Sequence, residues 1–181
     1  MAILPAVSSS AMHGAVVPIG FYNITASTTF YNIPQTYQDL MIVYNTRDTT
    51  AATSATLSFY LNADSGSNYS YTALTGDGSS ATSTNATNNG VFVNLIHPGA
   101  SATTGIFGTN IVHILNYANT STYKTVISRT ASDLNGSGST RLTAGLYRST
   151  SGISAISAHS VSGSFATGST VAIYGIRSVG Q

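Results

Sequence analysis

The sequence predicts an all-β chain, an antiparallel β-sandwich of jelly-roll-like form with about ten short strands, and three observations carry that expectation. The first is composition. Among 181 residues there is no Glu, Lys124 is the only lysine, and Ser and Thr together exceed a quarter of the chain. Strong helix formers other than Ala and Leu are scarce, while Thr, Val, Ile, Tyr and Phe are plentiful. The second is period: apolar residues recur at every second position, as they do on strands with one buried face. The third is punctuation, because Gly, Asn, Asp and Pro clusters divide the chain at short intervals.

Taken in order, residues 1–18 carry no charge and no clean period, although Ile3, Leu4, Val7, Met12, Val16 and Val17 are apolar. Burying those six side chains would release on the order of 10 kcal/mol. Ordering the backbone costs about 1–2 kcal/mol per residue, so this segment is expected to be an extended arm that holds shape only on a larger surface. A β-sandwich domain is expected over 19–181. It opens with one bent or two short strands between Ile19 and Ile33, anchored by Phe21, Tyr22, Phe30 and Tyr31. Apolar residues on both faces of Leu40–Arg47 suggest a strand covered on both sides, or one beside a subunit contact. Thr56–Asn62 and Tyr69–Thr75 follow, joined by the turn-rich run NADSGSN.

Residues 76–90, GDGSSATSTNATNNG, have no apolar side chain larger than Ala and are expected to form a long exposed loop. Further strands are expected at Val91–His97, stopped by Pro98-Gly99, and at Ile106–Tyr117, Tyr123–Ala131 and Arg141–Arg148. Asn135-Gly136 suits a tight hairpin turn, which needs two positive φ values. A weaker strand at Ile153–Val161 and a closing one at Val171–Ile176 complete the expected sandwich.

Composition also excludes. A net charge of +1 from six scattered cations cannot form a basic groove, so neither nucleic acid nor a membrane is an expected partner. No cysteine is present, which removes disulfides and thiolate metal sites. No run of eighteen apolar residues suggests a membrane helix. The N-terminus lacks a basic region and is read as mature chain.

Candidate chemistry is thin. His13, His97, His113 and His159 could in principle join a serine and an aspartate, but no Gly-x-Ser-x-Gly elbow occurs. Asp39, Asp48, Asp64, Asp77 and Asp133 are the only carboxylic side chains, and most stand beside turn residues. Asn62, Asp64, Asn68 and Asp77 make the best calcium pattern, yet they lack the acidic count of a strong loop, and local Asx turns explain them better. No catalytic residue, cofactor or metal is expected. Tyr60, Tyr69 and Tyr71 are the tyrosines that could offer ring faces to a glycan or a neighbouring subunit.

The segment IPQTYQDLMIVYNTRDTTAATSATLSFYLNADSGSNYSYTALTGDG, with the closing run FATGSTVAIYGIRS, resembles a β-rich module of tailed-bacteriophage virion proteins. The resemblance spans roughly residues 20–178 and rests on strands and turns. It implies a virion location, after assembly in the host cytoplasm, and supplies no catalytic residue. Such modules occur as capsid decoration (cement) proteins and at the ends of tail fibres. The apolar arm fits the first, a non-enzymatic protein that grips the major capsid protein or another virion protein as a homo-oligomer, a trimer being favoured. The alternative is a tail-fibre or spike module that recognises host-surface glycans.

Overall fold

The computed structural model describes residues 15–178, in which twelve strands and no helix form two antiparallel sheets. The strands are β1 (Val16–Asn23), β2 (Thr28–Phe30), β3 (Asp39–Thr46), β4 (Ser54–Phe59), β5 (Tyr69–Gly76) and β6 (Ala81–Asn89). They continue as β7 (Phe92–Pro98), β8 (Gly108–Ile114), β9 (Lys124–Asp133), β10 (Gly138–Tyr147), β11 (Ile156–Ser160) and β12 (Thr170–Ile176). The large sheet runs β1-β12-β3-β8-β9-β10-β5-β6 and the small one β2-β11-β4-β7.

Eight of these strands have jelly-roll order. The half-sheet β1-β12-β3-β8 matches β2-β11-β4-β7 position by position, so strands adjacent in sequence occupy corresponding places in the two sheets. The other four are two inserted hairpins, β5–β6 after β4 and β9–β10 after β8. They pair with each other through β5 and β10 and with the jelly roll through β8 and β9, extending the large sheet by four strands.

Alternation explains which faces meet. In β3, Leu40, Ile42 and Tyr44 are fully buried while Met41 and Val43 are half-buried on the other face. The inward set meets Val112, Ile114, Val171 and Ile173 of the large sheet and Leu57, Phe59, Phe92 and Leu95 of the small one. Each such side chain contributes about 1.5–3 kcal/mol on burial. The Tyr44 and Phe59 rings bridge the layers at 6.5 Å, and within the small sheet Phe59 lies 4.8 Å from Phe92. Gly145 of β10 leaves room for the Phe92 ring, which an added Cβ would meet at 2.0 Å.

Turn chemistry places the hairpins. Asn135 and Gly136 take φ of 68° and 90°, and Leu134 donates to the Ser137 carbonyl at 2.7 Å, closing the expected two-residue turn. Two expectations need correction. Residues 76–90 are not a loop: β5 reaches Gly76, a tight turn follows, and β6 pairs along β5. Thr, Ser and Asn fill it with no apolar side chain larger than Ala, so a strand exposed on both faces reads as a polar loop. The arm boundary also moves, because Val16–Pro18 belong to β1 and pair with Tyr174–Ile176. Val17 is buried in this domain and Val16 lies exposed on its edge strand. Ile3, Leu4, Val7 and Met12 fall outside the described residues.

Candidate interaction surface

The reactive side chains are mostly inside. His97 is fully buried, its Nδ1 lying 3.1 Å from the Thr46 hydroxyl and its Nε2 3.5 Å from Asp48 Oδ2. Burial pushes this imidazole down to about 4 despite the opposing pull of Asp48, so it is neutral at physiological pH. Burial alone would raise the Asp48 carboxyl. Hydrogen bonds from Ser160 and Thr50 and the nearby His97 outweigh that and hold it low. The Thr46–His97–Asp48 order is that of a nucleophile–base–orienter triad, but all three are 0% exposed. No substrate reaches the Thr46 hydroxyl in this arrangement, and Ser160 bonds the carboxylate rather than the imidazole. The cluster joins β3, β7 and β11 with the segment after β3.

Of the other histidines, His113 sits on β8, His159 packs edge-on against Tyr60 at 4.8 Å, and His13 lies outside the described residues. Asp64 is a turn organiser. Its carboxylate accepts from the Gly66 N–H (2.8 Å), the Asn68 amide (2.9 Å) and the Tyr147 hydroxyl (2.9 Å). Asn62 turns elsewhere, accepting from the Ser154 N–H at 2.8 Å, and Asp77 caps its own turn through Ser79 and Ser80. The candidate calcium ligands thus serve three separate local networks. Among the described residues no three His or Asp side chains come together as a metal group.

The three singled-out tyrosines separate. Tyr69 is fully buried, stacks on Tyr147 at 4.9 Å, accepts from the Leu61 N–H and donates to the Asp64 carbonyl. It offers no ring face to a ligand, which removes it as a glycan or subunit contact. Tyr60 is half-buried against His159, and Tyr71 is half-buried 6.2 Å from Phe92.

What the fold leaves outside is apolar. The registers align one row across the outer face of the large sheet: Ser83, Leu74, Leu142, Arg129, Ile111, Val43, Ala172 and Phe21. At about 4.8 Å between strands this row is roughly 34 Å wide. Phe21 is 67% exposed, Leu74 56% and Leu142 53%. The adjacent row adds Ile127, His113, Met41 and Tyr174. Arg129 is the one charged residue in the first row and, with Leu74 and Leu142, lines a shallow groove. Between these ends Ile111 and Val43 are half-buried and Ala172 is buried, and exposed apolar side chains such as Phe21 and the Leu74–Leu142 pair mark interaction surfaces.

Sequence reasoning missed this surface. The available signal was the apolar content of both faces of Leu40–Tyr44, which permitted a subunit contact. Joining Phe21 to Leu74 required the strand order. Comparisons with known protein families, curated proteins and solved structures give no match to this chain.

Proposed function

We propose that the chain is a non-enzymatic structural protein of a tailed-bacteriophage virion, a capsid decoration protein that binds the major capsid protein as a homo-oligomer. The observation that carries this reading is the exposure of Phe21, Leu74 and Leu142 along one row of the outer face of the large sheet, side chains that only another surface can remove from water. The resemblance to virion modules supplies the setting. The jelly-roll order agrees with it as an analogy of fold, since viral capsid and lectin domains share that architecture. The near absence of charge fits as well, because lysine and acidic residues are depleted where surfaces become interfaces. The buried state of Thr46, His97 and Asp48 favours a structural over a catalytic role.

The test is co-expression with the major capsid protein of the same virion, followed by purification of the shells. The chain should sediment with the shells at a fixed ratio to capsid subunits. It should stay bound between 0.1 and 1 M salt (about 10 to 3 Å in screening length), because apolar contact is little affected by screening. Recovery of the chain only in the soluble fraction would overturn the reading.

A further inference from the structure

We propose that β6 is a self-pairing edge, through which two copies join antiparallel about a two-fold axis to continue the large sheet from one molecule into the next. β6 ends the eight-stranded sheet, and among the described residues only its neighbour β5 pairs with it, on one side. The hairpin turn fixes which groups face outward. Asp77 donates to the Ser80 carbonyl, so Thr82, Thr84 and Ala86 bond back to β5, while Ala81, Ser83 and Asn85 present their N–H and C=O groups to the free side. An open edge of this kind is a template for another strand, and proteins blunt such edges with charge, proline or irregularity.

The opposite edge of the sheet is blunted. β1 contains Pro18, and its pairing with β12 is irregular between Pro18 and Gly20. In the small sheet, β2 has three residues, and β7 ends at Pro98. β6 has nine residues, ATSTNATNN, with no charge, no proline and nearly every residue exposed. Its one irregularity falls at the far end, opposite Tyr69–Tyr71, where Arg148 holds Asn88.

The chemistry selects a second copy as the occupant. Antiparallel pairing of β6 with itself sets Thr, Ser and Asn side chains opposite one another with no like charges, and such pairs hydrogen-bond across strands. The contact is isologous and closes at two, leaving only the blunted β1 edges at the ends of the joined sheet. This pairing does not depend on what the assembled protein covers, so it stands or falls separately from the decoration role.

The full chain should sediment as a dimer with a micromolar dissociation constant, as suits a small interface. Asn85→Pro removes only an outward N–H and spares the bonds to β5. It should weaken the dimer at least about tenfold with the circular dichroism spectrum unchanged, whereas Asn85→Ser should dimerise normally. Should Asn85→Pro misfold, Ser83→Cys supplies the readout, since the chain has no other cysteine. Nitroxides attached there should show dipolar coupling within about 20 Å, a few strand spacings. A monomer at about 100 μM, a trimer, an Asn85→Pro dimer of unchanged affinity, or uncoupled nitroxides would each overturn the proposal.

Discussion

The His97 imidazole shows how one buried group writes itself into stability. Its value falls from 6.5 to about 4 on folding, chiefly through burial. Between those values the unfolded chain binds the proton and the folded chain does not. The stabilising difference is therefore complete above about pH 6.5 and is lost as pH falls toward 4, by about 3 kcal/mol in all. Asp48 acts in the same direction at lower pH, because its folded value is depressed and its contribution disappears on protonation. Urea unfolding of the wild type at pH 7, 5.5 and 4 should show that decline, and His97→Gln should flatten it. Equal slopes in both proteins would show that His97 is not the titrating group. Lys124 poses the complementary case: the only lysine is fully buried, with its ammonium donating to the Thr122 (2.8 Å), Thr150 (3.2 Å) and Ser149 (3.4 Å) carbonyls. Lys124→Met keeps the stem but strands three acceptors, and should cost about 1–3 kcal/mol in the same assay. Neither role was legible in the sequence. A lone lysine and a histidine before proline look like ordinary surface residues until the fold brings partners from 25 or more positions away.

At the scale of the element, legibility followed the apolar signal. The strands around Leu40–Tyr44, Leu57–Phe59 and Val171–Ile173 were readable because their inward side chains are large and apolar. The Asn135-Gly136 turn was readable because its backbone demand is met by few residue pairs. β6 was not, since a strand exposed on both faces carries no hydrophobic period. The inserted hairpins also rely on a feature invisible in sequence, the space at Gly145 filled by the Phe92 ring. Gly145→Ala should push that ring from its place and destabilise the protein by about 1–3 kcal/mol, read as a lowered urea midpoint. Gly76→Ala, whose added carbon would lie 3.7 Å from Thr140, should be far milder. A Gly145→Ala protein as stable as the wild type would mean that β10 does not depend on this contact.

Over the whole molecule, the sequence disclosed the fold class and hid the surface. The β-sandwich class follows from alternation and turn chemistry, whereas the jelly-roll order is seen only in the strand pairing. The outer row combines single residues from separate strands, and no local pattern announces that Phe21 and Leu74 share a face. Of the six side chains expected in an arm, Val16 and Val17 belong to β1, so the proposed contact through the arm is confined to residues 2–14. Their deletion should leave the unfolding midpoint of the sandwich in place while speeding release from shells at least about tenfold, roughly 1.4 kcal/mol. Unchanged retention would remove the arm from the contact. The most direct measurement is the binding of a Leu74→Arg/Leu142→Arg chain to shells of the major capsid protein. These side chains are already exposed, so the variant should fold and melt like the wild type. Its occupancy on shells should fall at least about tenfold, because two charges would be trapped in an apolar contact. Wild-type occupancy by the folded variant would contradict the claim that this face is where the protein grips its partner.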